Sequence, residues 1–307
     1  MKGLSLHLTD MCNQSCKFCV VDSYKERKEE VNSRLIFSFL QENAGKGYEI
    51  INIHGGEATI VKDFVPILEK IKELGYPQVS LQTNARTLKD YEFTKTLVDL
   101  NVKTFVTSLH TTEPSEMAWL ADVDESWLGE VIQGIKNAKT LGARVRTNTV
   151  VYKHNVDKLI KIMKFIIEEL HADHINISNM HPAGRAYKNF EMVCPKVTEI
   201  IKPVKEAVDY VVAQGVKVTV EGFPPCLLEE YTNYIVDWEE SNFKMLYHNF
   251  ILPNYADFMS GKTRTLADIC EKCVYKKDKL CGGIYNEYVE KYGIDEFANV
   301  KPILERY

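Results

Sequence analysis

The sequence lacks an excess of charge of either sign and lacks a long apolar run. The 38 lysine and arginine residues are opposed by 43 aspartate and glutamate residues, which gives a formal net charge of −5 at pH 7. Nucleic-acid-binding domains carry a basic excess, so this balance gives no electrostatic basis for such a partner. No segment approaches the about 18 apolar residues of a membrane span, and Asp10 comes too early for a secretory signal. We therefore expect a cytoplasmic protein with no nucleic-acid partner and no membrane partner.

The composition also lacks the biases of disordered and fibrous chains. Hydrophobic residues make up 45% and charged residues 26% of the 307 residues, as in ordinary globular proteins. Low-complexity segments and short-period repeats are absent, and a chain of this length buries a sizeable core without disulfides. In the reducing cytoplasm, cysteines are more often free thiols or metal ligands than disulfide partners.

The regular part of the chain is an alternation of strand and helix patterns. They alternate at least six times between residues 4 and 220, at a spacing of roughly 25–35 residues. Such repeats are typical of βα units around a parallel sheet, and short connections favour a barrel, or part of one, over an open sheet. The regularity ends at a cluster of glycine and proline in residues 222–226. We predict an α/β barrel domain over residues 1–215 and a small, irregular, cysteine-bearing extension over residues 216–307.

The cysteines fall into two tight groups and two single residues. An even scatter would suit small buried hydrophobic side chains, whereas tight groups are typical of metal ligands. The eight are Cys12, Cys16, Cys19, Cys194, Cys226, Cys270, Cys273 and Cys281.

The first cysteine group, Cys12, Cys16 and Cys19, has the spacing C-x3-C-x2-C directly after the first predicted strand. Barrel enzymes carry their chemistry at the carboxyl ends of their strands. Three thiolates on one tight loop can face a [4Fe–4S] cluster and leave one iron without a protein ligand, whereas ordinary ferredoxin sites use four cysteines. The alternatives are a zinc site with a missing fourth ligand and three buried thiols.

This first group resembles a known signature. C-x3-C-x-aromatic-C after the first strand is similar to the motif of the radical S-adenosylmethionine (radical SAM) superfamily, and the resemblance covers about residues 4–220. It implies a partial (β/α)6 TIM-like barrel in which Cys12, Cys16 and Cys19 bind a catalytic [4Fe–4S] cluster and Phe18 lies near the adenine of S-adenosyl-L-methionine (SAM). In such enzymes an electron, from a donor such as flavodoxin or ferredoxin, cleaves SAM to methionine and a 5′-deoxyadenosyl radical. That radical takes a hydrogen atom from the substrate.

Two further segments resemble the same family. Gly55, Gly56 and Glu57 end the second predicted strand and are similar to the GGE motif, which in the family meets the SAM amino group. The usual proline after this motif is replaced by Ala58. Two glycines also let a backbone approach a ligand closely, although a plain turn explains them equally well. Residues 180–185 resemble the family segment that passes beside the adenosine.

Polar residues near the ends of later strands are candidate cofactor contacts. Ser108 ends the fourth predicted strand, and Arg146 and Asn148 lie on one face of the fifth. A guanidinium in this place suits the SAM carboxylate or a substrate. The alternatives are that Ser108 and Asn148 are helix caps and that Arg146 pairs with a helix carboxylate. Thr83 and Asn84, at the end of the third strand, are weaker candidates of the same kind.

The second cysteine group, Cys226, Cys270, Cys273 and Cys281, supplies four thiolates, the last three spaced C-x2-C-x7-C. It resembles the auxiliary-cluster extension called SPASM, or its shorter twitch form. Only five cysteines follow the barrel motif, so two clusters with four thiolates each are excluded. The twitch-like alternative, with one auxiliary [4Fe–4S] cluster, is therefore preferred. A structural zinc ion fits the spacing alone equally well.

Cys194 is left over from both groups. A buried thiol is the simpler interpretation. The alternative is a catalytic role as a hydrogen-atom donor to a substrate radical, as in radical SAM epimerases, although nothing in the sequence places Cys194 at a pocket.

These features together predict a radical SAM enzyme with one catalytic and one auxiliary [4Fe–4S] cluster. The predicted substrate is a peptide or a small polar metabolite, as for the maturases of peptides and natural products. One alternative is a radical SAM enzyme with structural zinc in the extension. The other is a non-catalytic scaffold that binds an iron–sulfur cluster or zinc.

Overall fold

The computed structural model describes residues 2–28, 31–236, 243–254 and 262–306. Most strands belong to one nine-stranded sheet, and two short strands near the C-terminus pair with each other. The strands are β1 (Gly3–His7), β2 (Ile50–His54), β3 (Val79–Thr83), β4 (Val102–Ser108), β5 (Arg144–Val150), β6 (His174–Ser178), β7 (Lys217–Glu221), β8 (Phe243–Tyr247), β9 (Phe250–Leu252), β10 (Arg264–Thr265) and β11 (Ile284–Tyr285).

The sheet is parallel over eight of its strands. Strands β1 to β7 lie side by side in chain order, β8 pairs in parallel with the free side of β1, and β9 pairs antiparallel with β8. The predicted α/β fold with a partial TIM-like barrel is confirmed. The parallel series has seven consecutive strands rather than six, because β7 pairs with β6 along its full length.

Between β1 and β7 the helices connect consecutive strands, as βα units require. Asn32 and Asp90 begin two of them by accepting hydrogen bonds from the amides of Leu35 and Phe93, as N-cap residues do. No helix in the described residues is long and apolar enough to cross a membrane. The helices are α1 (Ser33–Asn43), α2 (Phe64–Glu73), α3 (Tyr91–Asp99), α4 (Pro114–Ala121), α5 (Trp127–Thr140), α6 (Leu159–Glu168), α7 (Arg185–Lys188), α8 (Phe190–Val193), α9 (Val197–Ala213), α10 (Pro225–Leu228), α11 (Val274–Lys277) and α12 (Asn286–Tyr292).

The two faces of the sheet differ in chemistry. One face carries fully buried apolar side chains such as Leu4, Ile51 and Phe105, which belong to the main hydrophobic core. Side chains on register partners in a parallel sheet share a face, and the opposite face carries polar ones. We call it the polar face, and it includes Ser5, His7, Asn52, His54, Ser80, Thr104, Ser108, Arg146, Asn148, His174, Asn176, Ser178, Thr219 and Glu221.

The predicted division at residues 215 and 216 separates β7 from the sheet to which it belongs. Strand β7 pairs with β6, and β8, which lies more than 200 residues after β1, returns to pair with β1. Gly215 follows α9 and directly precedes β7, a further strand of the βα series. The division into two domains stays a prediction. In the described part of residues 216–307 beyond β9, short turns and the β10–β11 pair replace the regular pattern.

Candidate active site

The loop with the first cysteine group is held against the end of β2 by backbone hydrogen bonds. The amide of Gly56 donates to Thr9 O at 2.6 Å, and the amide of Glu57 donates to Met11 O at 2.7 Å. A Cβ atom at Gly55 would lie 2.3 Å from Thr9 O, and one at Gly56 would lie 2.0 Å from Met11 O. The two glycines are therefore required by the close approach of the cysteine loop itself. Their contact with a cofactor stays a prediction.

The three thiols of the first group are partly buried, and the sulfur atoms of Cys12 and Cys19 accept backbone hydrogen bonds. The amide of Gln14 donates to Cys12 Sγ at 3.4 Å, and the amide of Ser23 donates to Cys19 Sγ at 3.3 Å. Burial, with a smaller contribution from the carboxylate of Glu57, raises the pKa of Cys12 to about 12. Thiolates in this place need a cationic partner such as a metal, and N–H donors to sulfur are typical of iron–sulfur sites. This donor set fits a cluster.

Glu57 is fully buried and accepts four hydrogen bonds. Its Oε1 accepts from the amide and hydroxyl of Thr59 and from the hydroxyl of Thr83, at 3.2, 2.6 and 2.8 Å. Its Oε2 accepts from the amide of Asn84 at 2.7 Å. Burial raises the pKa of Glu57, and these hydrogen bonds oppose that rise. The carboxylate therefore joins the ends of β2 and β3 beside Cys12, a role that the sequence did not reveal.

The segment after β6 packs on the other side of the cysteine loop. The amide of Arg185 donates to Cys19 O at 2.8 Å, and its guanidinium pairs with Asp22 at 3.2 Å. Gly184 has a φ of +59°, and a Cβ atom there would lie 2.4 Å from Val20 O. The cysteine loop is thus enclosed by the ends of β2, β3 and β6.

Phe18, on the cysteine loop, packs against residues that follow β4 and β5. Its ring packs edge-on against His110, with ring centres 4.9 Å apart, and lies 5.8 Å from the ring of Tyr152. An aromatic ring in this place offers an apolar surface beside the first cysteine group. Its predicted contact with adenine stays a prediction.

The polar face contains a hydrogen-bond network across β5, β6 and β7. Asn148 Oδ1 accepts from Asn176 Nδ2 and from Ser178 Oγ, both at 2.7 Å. Asn176 Nδ2 also donates to Glu221 Oε2 at 3.1 Å. Ser108 is the register partner of Asn148, which places both beside the network. The predicted residues Ser108, Arg146 and Asn148 therefore share one polar surface.

Arg146 is half-buried and carries a positive charge on the polar face, one strand from this network's residues on β6. Its Nε atom is buried and has no hydrogen-bond partner in the described residues. Burial lowers its pKa, and the negative charge of Glu221 opposes that effect. Because buried polar atoms are normally satisfied, an unpartnered guanidinium nitrogen indicates a place for an oxygen of a bound molecule.

Sequence reasoning missed Asn176, Ser178 and Glu221. A signal for them was present, because polar residues recur at every second position of β6 and end β7. Parallel strands are normally apolar on both faces, so this alternation marks a solvated or ligand-binding face.

The second cysteine group is brought together by the fold. Cys226 on α10 lines one small pocket with Cys270, Cys273 and Cys281. Burial and the nearness of the other three thiols raise the pKa of Cys226 to about 12. The structure describes all eight cysteines, and no three of their sulfur atoms lie within 4.8 Å of one another. Four sulfurs around a tetrahedral zinc ion, with bonds of about 2.3 Å, stand about 3.8 Å apart. The sulfur atoms of the second cysteine group are spaced more widely than this.

Cys194 lies away from both groups. It is 2% exposed, it belongs to the main hydrophobic core, and its thiol donates to Pro195 O at 3.7 Å. The hydroxyl of Tyr292 on α12 donates to its carbonyl oxygen at 2.9 Å. This environment favours the buried-thiol interpretation over a hydrogen-atom donor.

Comparison with known sequences identifies relatives of the barrel. The family model of the radical SAM superfamily matches residues 6–166. A probable GTP 3′,8-cyclase of Sulfurisphaera tokodaii is 29% identical over 210 residues, which cover 68% of this chain and 65% of that protein. This chain thus spans just under two thirds of that relative.

Solved structures share the fold. SuiB of Streptococcus suis with bound S-adenosylmethionine superposes with a TM-score of 0.64 at 20% identity, over 90% of this chain and 64% of SuiB. SuiB is also solved with its precursor peptide SuiA. Native anSMEcpe with bound AdoMet has a TM-score of 0.62 at 16% identity, over 94% of this chain and 90% of that protein.

Proposed function

This chain belongs to the radical SAM superfamily, and we propose that it is an enzyme that uses its first cysteine group to cleave SAM and acts on a small polar anion at the polar face. The family implies a [4Fe–4S] cluster and SAM as cofactors. The observation that carries the proposal is the position of Cys12, Cys16 and Cys19, on a loop enclosed by strand ends beside the polar face.

When bound, the cluster and SAM would supply radical chemistry for removal of a hydrogen atom from the substrate. In the proposal Cys12, Cys16 and Cys19 hold the cluster, and the amides of Gln14 and Ser23 stabilise the thiolates of Cys12 and Cys19. Glu57 keeps β2 and β3 in place and has one oxygen with a single hydrogen bond in the described residues. That oxygen is the acceptor we propose for the SAM amino group.

The substrate is positioned by the polar face. The buried Nε of Arg146 supports a carboxylate or phosphate oxygen as its partner, and Asn148 and Glu221 supply further hydrogen-bonding groups. Arg144 and Lys217 are exposed at the amino ends of β5 and β7, away from the cysteine loop. The charge of Arg146 favours an anionic substrate.

A test of the first step is SAM cleavage under anaerobic, reducing conditions, with flavodoxin or dithionite as the electron donor. We expect 5′-deoxyadenosine and methionine from the wild-type enzyme. A chain that binds iron and SAM but makes no 5′-deoxyadenosine under these conditions would be a scaffold, and the proposal would be wrong.

The choice of substrate is a separate question. The relative from Sulfurisphaera tokodaii is named for cyclisation of GTP, and its similarity makes GTP the first anionic candidate. SuiB is solved with the precursor peptide SuiA, which makes a peptide the rival candidate for the substrate. GTP that raises 5′-deoxyadenosine formation and is consumed would support the nucleotide, and Arg146→Gln should then weaken the response. A response to peptides alone would favour the maturase alternative.

We propose one auxiliary [4Fe–4S] cluster for the second cysteine group. The sulfur spacing, wider than tetrahedral zinc requires, supports a larger inorganic group. Four thiolates in one pocket supply the full ligand set of such a cluster. Iron and zinc analysis of anaerobically prepared protein tests this, with about eight irons per chain expected against about four irons and one zinc.

A further inference from the structure

A third group of potential metal ligands lies where β1 and β8 end. The ligand atoms of His7, Asp10 and His248 all lie within 4.8 Å of one another, and no other such group occurs in the described residues. His7 Nε2 lies 2.6 Å from Asp10 Oδ1, and His248 Nε2 lies 3.4 Å from Asp10 Oδ2. None of the three was predicted from the sequence as a metal ligand.

The spacing suits a small divalent ion. Nitrogen and oxygen ligands about 2.0–2.2 Å from a tetrahedral ion stand about 3.3–3.5 Å apart. His248 Nε2 is already 3.4 Å from Asp10 Oδ2, which is the carboxylate oxygen that Arg27 also contacts. The hydrogen-bonded pair of His7 and Asp10 would have to part by less than about 1 Å, with the ion in place of the shared proton. Two imidazoles and one carboxylate are a frequent ligand set for zinc and for non-haem ferrous iron.

The backbone of His248 has an uncommon conformation. His248 is the first residue of the two-residue turn between β8 and β9, and its φ is +50°. Glycine is the usual residue in this position, because other side chains are strained there by about 1–2 kcal/mol. In this conformation the imidazole lies beside Asp10, with His248 Nε2 3.4 Å from Asp10 Oδ2.

A neighbouring ring and a neighbouring charge hold two of these side chains in position. Tyr247 packs on His7 with ring centres 4.5 Å apart, because the two are register partners. The guanidinium of Arg27 lies 2.5 Å from Asp10 Oδ2. This ion pair gives the rival explanation, in which Asp10 only fastens the end of the cysteine loop to β1. An ion held through Asp10 Oδ1 leaves the contact with Arg27 in place.

We propose that His7, Asp10 and His248 bind a divalent first-row transition-metal ion beside the first cysteine group. His7 and Asp10 are buried, whereas the side chain of His248 is 32% exposed, so the remaining coordination positions face solvent. Three protein ligands with open positions are typical of catalytic rather than structural metal sites. The open positions would take water or an oxygen of a carboxylate or phosphate. This proposal does not depend on the substrate or on SAM cleavage.

The test is a titration of the anaerobic protein, with its iron–sulfur clusters in place, with Co²⁺ as a spectroscopic probe. We expect one ion per chain with the absorption bands of nitrogen and oxygen ligands and without thiolate-to-cobalt charge transfer. His248→Asn should weaken Co²⁺ binding at least tenfold, since loss of a ligand costs no less than loss of an outer-shell partner. Asparagine tolerates a positive φ, so the turn should keep its shape.

His171→Asn is the matched control. His171 is exposed, has the same φ of +50°, and lies in a turn after α6, away from this group. Its substitution should leave Co²⁺ binding unchanged. If the wild-type protein binds no Co²⁺ through nitrogen and oxygen, or if His248→Asn binds it as tightly as the wild type, the group is only an ion-paired fastening of the loop and the proposal is wrong.

Discussion

The two cysteine groups differ in how the chain holds them. The first group lies on one loop that is fastened to the ends of β2 and β6 by backbone hydrogen bonds and by glycines with no room for a side chain. The second group is gathered from α10 and from short turns around α11 and β11. The sheet therefore fixes the geometry of the first group, whereas the second has little regular structure around it.

This difference predicts opposite dependences on metal. A site that rests on a large hydrophobic core keeps its shape without a ligand, whereas a small metal-binding module gains folding free energy from the metal itself. Removal of iron should therefore abolish chemistry at the first group without unfolding the barrel. Removal of metal from the second group should loosen the described residues 262–306.

The largest effect is expected at the first group. Cys12→Ala, Cys16→Ala and Cys19→Ala should each abolish SAM cleavage, because each removes one of only three proposed thiolate ligands. The measurement is 5′-deoxyadenosine formed by anaerobic, reduced protein. The thermal midpoint of each variant should stay near that of the cluster-free wild type, since the loop is held by backbone contacts. A single variant with near-normal 5′-deoxyadenosine formation would contradict the three-ligand assignment.

The second-largest effect is expected on iron content, and it distinguishes the two cysteine groups. Cys273→Ala should lower iron by up to about four per chain, since one cluster of this type holds four irons. SAM cleavage should persist, because the proposed ligands of the catalytic cluster lie in the barrel. Hydrogen exchange should increase in residues 262–306 and stay unchanged in β1 to β7. Unchanged iron in this variant, or stoichiometric zinc in the wild type, would favour the structural-zinc alternative.

Sequence patterns predicted the parallel sheet and both cysteine groups, because periodicity and spacing are local properties. They missed the return of β8 to β1, because a five-residue strand pairs across more than 200 residues of chain. They also missed the role of Glu57, whose partners Thr83 and Asn84 come from another strand. What the sequence cannot show is which polar residues the fold brings together.

A smaller effect is expected at Glu57. Glu57→Gln should weaken SAM binding about tenfold or more, since a hydrogen bond to a charged group contributes about 1.5–3 kcal/mol. Iron content should change little. Equilibrium dialysis of SAM with the iron-loaded protein measures the loss.

The control is Thr83→Val, which removes one donor to Glu57 but leaves the carboxylate. It should destabilise the protein with a smaller loss of SAM affinity. Equal SAM affinity in Glu57→Gln and in the wild type would restrict Glu57 to the structural role of joining β2 and β3.

The smallest effect is expected at Cys194. Its substitution tests whether a buried cysteine outside both groups contributes to iron binding or catalysis. Cys194 and Cys273 are both buried, at 2% and 8% exposure, but only Cys273 faces other thiols. Cys194→Ala should lower the free energy of unfolding by about 1 kcal/mol, since it removes one buried sulfur from a packed core. Iron content, SAM cleavage and product formation should match the wild type. Lost product formation with intact SAM cleavage would instead support the hydrogen-atom donor, because only that role needs this thiol after the radical has formed.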